Sequence, residues 1–95
     1  MAAAKLRTMR RSIDYSKPDV TEPIVDAEGD ELAATSWVVL VSDDYDDEAI
    51  RVVLTLEEFG RAGLGLSAHM TPDDARRLRV ALRNALREVG ESPGD

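Results

Sequence analysis

Apolar side chains in this chain recur with period two across three short segments and then switch to helical spacing, all between residues 36 and 90. Trp37, Val39 and Val41 fall on one side of SWVVLV (36–41). Ile50, Val52, Leu54 and Leu56 do so in AIRVVLTL (49–56), and Leu64, Leu66, Ala68 and Met70 in LGLSAHM (64–70). Alternation with β-branched residues is the pattern of strands with one buried face. Helical spacing competes over 46–59, where Ala49, Val52, Val53, Leu56 and Phe59 also match. Ile50, Val52 and Val53 lose side-chain freedom in a helix and suit a pleated sheet, so we read a strand there, with Thr55–Glu58 available for a capped turn.

The segment TPDDARRLRVALRNALREV (71–89) predicts a helix. Thr71 is a good N-cap, Pro72 suits the first helical position, Asp73 and Asp74 complement the dipole, and Gly90 supplies the stop. At 100° per residue, Ala75, Leu78, Leu82, Ala85, Leu86 and Val89 form one stripe, expected to face a core. The predicted fold is therefore α+β. It is a three-stranded antiparallel β-meander, four-stranded if an extended piece at Ile24 and Val25 joins it, packed by one C-terminal α-helix.

Residues 1–35 hold few large apolar side chains and include Pro18, Pro23 and Gly29, so they are expected to form a largely disordered arm, basic then acidic. Residues 36–90 make the domain, and 91–95 are expected to fray. Charge is segregated along the chain: residues 1–13 carry a net +4, residues 14–58 a net −12 and residues 59–95 a net +1, for a total of −7. Opposite charges in separate segments favour self-complementary packing or charged partners.

Function classes are narrowed by what is missing. There is no cysteine and one histidine, His69, so disulfide frameworks and the usual zinc spacings are excluded. The longest apolar run, Trp37–Val41, is five residues against the roughly 20 of a membrane span, and MAAAKLRTMRR has no apolar stretch behind it, so a cytoplasmic location is expected. His69 and Ser67 on one strand face lie too far apart for a nucleophile and its base. Glu57 and Glu58 point opposite ways on a strand, and no catalytic constellation or cofactor motif emerges.

Four binding features remain. Arg76, Arg79, Arg83 and Arg87 form a basic ridge beside the helix's apolar stripe, suited to carboxylate or phosphate. One helix on such a sheet leaves the other face, with Val38, Leu40 and Val53, partly uncovered, as expected of a contact surface and most simply of a homodimer. Lys5, Arg7, Arg10 and Arg11 could bind nucleic-acid backbone without a fold of their own. Asp43, Asp44, Asp46 and Glu48 offer oxygens to a divalent cation, although the sharp-turn glycine of calcium loops is missing and a solvated hairpin loop accounts for the same residues. Trp37 is expected to pack in the core.

The stretch VVLVSDDYDDEAIRVVLTLEEFGRAG (38–63) resembles the opening strand and first helix of two-component receiver domains, in which an acidic pair at a strand end holds magnesium. The resemblance implies that role for Asp43 and Asp44. It stops there, because the only lysines, Lys5 and Lys17, lie upstream and no later phosphoacceptor strand follows. The layout of short strands followed by HMTPDDARRLRVALRNAL (69–86) is similar to the closing part of many small actinobacterial and phage-borne proteins without an assigned activity. The expected function is a non-enzymatic protein-interaction module, a regulatory or accessory homodimer. The alternatives are a nucleic-acid-associated protein and a divalent-ion-binding or receiver-like signalling module.

Overall fold

The computed structural model describes residues 9–16, 24–58 and 64–94. Four strands, β1 (Arg10–Ser16), β2 (Thr35–Ser42), β3 (Arg51–Glu58) and β4 (Leu66–Met70), are followed by one helix, α1 (Pro72–Glu88). The strands form a single antiparallel sheet in sequence order, β1-β2-β3-β4. The α+β meander with one C-terminal helix is thus the fold of the chain, in its four-stranded form.

Two expectations need correction. The fourth strand comes from within the supposed arm, at Arg10–Ser16, and not from Ile24 and Val25. Those two residues belong to a separate small hairpin in which Val25 bridges Glu31 and the Leu32 amide donates to the Ile24 carbonyl at 2.8 Å. Its turn is held by Asp26, whose Oδ1 accepts from the amides of Glu28 and Asp30, both at 2.9 Å, and by Gly29 at a φ of 88°. β1 succeeds as an edge strand because strand pairing needs backbone groups more than apolar side chains. Its arginines and a bulge between Ser12 and Asp14 also guard the edge against further pairing. The second correction concerns Thr55–Glu58, which continue β3 to its end and form no helical turn.

The β3 reading over 51–58 holds, and its register follows from the alternation. Trp37, Val39 and Val41 of β2 face Leu56, Leu54 and Val52 of β3, which in turn face Leu66, Ala68 and Met70 of β4. These residues share the helix-side face. Cross-strand partners sit on the same face, so Val38, Leu40, Val53 and His69 lie on the other.

Helix α1 starts and stops as its caps dictate. Thr71 Oγ1 accepts from the Asp74 amide at 3.1 Å, and Pro72 occupies the first turn with Asp73 and Asp74. At the other end, Gly90 at a φ of 77° lets its own amide reach the Arg87 carbonyl and the Glu91 amide reach Leu86, a Schellman stop. The helix packs against β3 and β4 alone. None of its residues is buried. The helical stripe therefore faces a gap over the sheet and not a closed core. No helix among the described residues is long and apolar enough to cross a membrane.

Candidate functional site

The gap between α1 and the helix-side sheet face is a groove of about 740 Å³. Its floor is Trp37, Val39, Val52, Leu54, Leu56 and Met70; its wall is Ala75, Leu78, Leu82 and Leu86 of the helix. The volume lies in the range of ligand pockets, and a native core does not leave that much space unfilled. Alternation put the floor residues on one strand face and the 3.6-residue period put the wall residues on one helix face. The distance between the two surfaces follows from neither. Leu82 is 59 % exposed and Leu66, on the edge strand of the same face, is 76 % exposed. Trp37 sits half-buried at the groove, so the packing expected of it is only partial.

Three of the four ridge arginines, Arg79, Arg83 and Arg87, line this groove. Arg76 does not: it pairs with Asp73 one turn back. Among the described residues no carboxylate pairs with the other three, and Arg83 Nε is buried with no hydrogen-bond partner. A guanidinium N–H taken from water and left unpaired is costly, and a carboxylate oxygen is the acceptor that best repairs it. The site thus combines apolar surface with unsatisfied positive donors. Pro93 and Gly94 also line the groove, and Pro93 is half-buried, so the tail expected to fray is folded back here by the Schellman turn.

The opposite sheet face, proposed from sequence as the partly uncovered one, is buried at Val53 and remains half-buried or exposed at its other apolar positions. Val53 is the one buried apolar residue among those described, at 5 % exposure, while Val38 and Leu40 are half-buried. The cover is the acidic β2–β3 loop. Tyr45 donates or accepts through its hydroxyl at 2.8 Å from His69 Nδ1, its ring meets the His69 ring edge-on at 5.7 Å, and the Arg51 guanidinium stacks over it at 4.5 Å. His69 is the cross-strand partner of Val53, and Arg51 lies two residues before it, so both residues that Tyr45 contacts share the sheet face of Val53. His69 is exposed near the end of β4, with its Nδ1 paired to the Tyr45 hydroxyl. Val53, at 5 % exposure, presents little surface to a partner. An alternating pattern says which side chains share a face; it carries no information on where a loop will lie.

The acidic loop residues are spread out and not gathered. Asp43 Oδ1 accepts from the Met9 amide at 2.7 Å, tying the loop to the start of β1. Asp47 pairs bidentately with Arg51, at 2.9 and 2.7 Å, and accepts from the Ala49 amide at 3.0 Å. The Arg51 side chain first, and the Ala49 amide second, hold the Asp47 carboxyl well below the usual carboxylate range, and Asp47 in turn raises Arg51. Asp44, Asp46 and Glu48 are exposed, and Glu48 takes the left-handed conformation at a φ of 56°. Among the described residues no three of His, Cys, Asp and Glu form a group able to hold a metal ion. The receiver-like reading also loses its helix, since the residues after the loop are β3. Arg10 and Arg11 are exposed on the edge strand β1, and Lys5 and Arg7 lie outside the described residues. The signals that sequence reasoning missed are Tyr45 and Arg51, whose roles depend on the loop's path. No protein-family model, no curated protein and no solved structure matches this chain.

Proposed function

We propose that this chain is a non-enzymatic protein-interaction module, a cytoplasmic regulatory or accessory subunit that works as a homodimer through its arginine-lined groove. The observation that carries the reading is the open apolar surface between sheet and helix, including Leu56, Leu82 and Leu86, in a chain with one buried apolar residue among those described. Exposed apolar surface bordered by charge marks association sites, and small domains with thin cores commonly gain stability by oligomerising. Nucleic acid fits the groove less well, because the chain carries −7 overall and the groove interior is apolar.

Light scattering across concentration, at low and high salt, tests the reading. A mass of two chains that reverts to one in Leu82→Asp is the expected result. A strict monomer at every concentration and salt would overturn it.

A further inference from the structure

We propose that the groove of each chain receives the acidic hairpin Ile24–Leu32 of a second copy, reciprocally; this inference rests on the homodimer reading and names the contact that builds it. What the groove lacks, the hairpin carries. Residues 24–32 contain Asp26, Glu28, Asp30 and Glu31 and no base, opposite three groove arginines without carboxylate partners among the described residues. Ile24 and Leu32 are 69 % and 48 % exposed. Their pairing through the Leu32 amide places them on one face of the hairpin, and the period of two adds Asp30 to that face. One surface thus presents two aliphatic side chains beside a carboxylate, matching an apolar floor beside guanidinium groups.

The hairpin is also pre-organised. Asp26 and Gly29 fix its turn through local hydrogen bonds, so docking orders little additional chain. It stands outside its own groove, since no residue of 24–34 lines that space. Only Ala33 and Ala34 separate Leu32 from β2, whose Trp37 opens the groove floor, so the hairpin leaves the sheet close to the groove and is placed to enter a neighbour's across a two-fold axis. Such an exchange is isologous: each chain gives one hairpin and receives one, and the contact closes at two copies.

The absence of cysteine gives a clean test. Full-length Ile24→Cys and Leu82→Cys chains are mixed and mildly oxidised, with Val80→Cys, which does not line the groove, replacing Leu82→Cys as the control. The expected product is a covalent heterodimer of Ile24→Cys with Leu82→Cys that exceeds the Val80→Cys control and is lost on reduction. In parallel, Glu28→Lys/Asp30→Lys/Glu31→Lys and Arg79→Glu/Arg83→Glu/Arg87→Glu should each raise the dimer Kd at least about tenfold, and mixing the two should restore a dimer. That rescue shows that neither variant had merely unfolded.

An intrachain disulfide in the Ile24→Cys/Leu82→Cys double variant at high dilution, without interchain product, would overturn the exchange in favour of a hairpin folding onto its own groove. A dimer by light scattering with no cross-link above control would also overturn it, leaving the homodimer standing through another surface. A chain monomeric by light scattering would sink both.

Discussion

The two faces of this sheet are covered by different means and to different extents. On one, which holds the buried Val53, a polar loop lays Tyr45 between His69 and Arg51; on the other, an amphipathic helix with four apolar groove residues leaves about 740 Å³ open. Apolarity alone does not decide closure. The loop is pinned at several points, by Asp43 to Met9, by Asp47 to Arg51 and by Tyr45 to His69, and these bonds fix its height above the sheet. The helix is tied to the sheet through Thr71, directly after β4, and its backbone comes close to β3 and β4 but not to β2, whose Trp37 and Val39 stay half-buried on the groove floor. The polar loop lies on the face that holds the one buried apolar residue among those described, and the face with the more hydrophobic lining holds the groove.

Mutations can break or sharpen this contrast. The largest stability effect is expected at the buried Val53: Val53→Ala should lower unfolding free energy by about 2 kcal/mol in denaturant titration. A comparable loss is expected from Gly65→Ala, because a Cβ at that position would stand 2.7 Å from the Leu56 carbonyl oxygen and force β4's approach to β3 to shift. Thr71→Ala removes the helix N-cap and should cost about 1 kcal/mol, read by loss of helical signal at a lower temperature. Tyr45→Phe, which keeps the ring against Arg51 but loses the bond to His69, should cost about 0.5–1 kcal/mol.

On the open side, Leu82→Ala should leave the melting temperature at low protein concentration nearly unchanged. It should reduce the rise of melting temperature with concentration that the proposed homodimer predicts for the parent chain, since Leu82 is 59 % exposed in the single chain.

The smallest effect is a pH dependence at Asp47. Its folded carboxyl is held below the ordinary value, so the unfolded chain binds the proton more readily. The stabilisation from the Arg51 pair is therefore complete above about pH 4 and is lost progressively as pH falls below that toward the folded value. Asp47→Asn should flatten that part of the acid titration.

Much of the fold was legible in the residues. The caps of α1, the three alternating strands β2, β3 and β4 and the faces of Trp37, Val39, Val52 and Leu54 all followed from local rules, since each depends on neighbours within a few positions. β1 was hidden because Arg10–Ser16 has almost no apolar alternation and its pairing with β2 spans a long stretch of chain. The candidate site was half legible. Arg79, Arg83 and Arg87 were correctly placed beside the apolar stripe by helical geometry, while Arg76 was claimed by Asp73 through a local pair that the wheel does not weigh. Val53 was assigned to the correct face and the wrong environment.

What the amino-acid order determined here was periodic: which residues become strand or helix, which side chains share a face, and where α1 begins and ends. Tertiary structure decided where the groove opened, whether the helix closed on the sheet, and that Tyr45 would meet His69 and Arg51 on the face of Val53. Periodicity is set by backbone geometry over a few residues, whereas coverage depends on the path of loops and the spacing between elements, which only the whole chain's contacts fix.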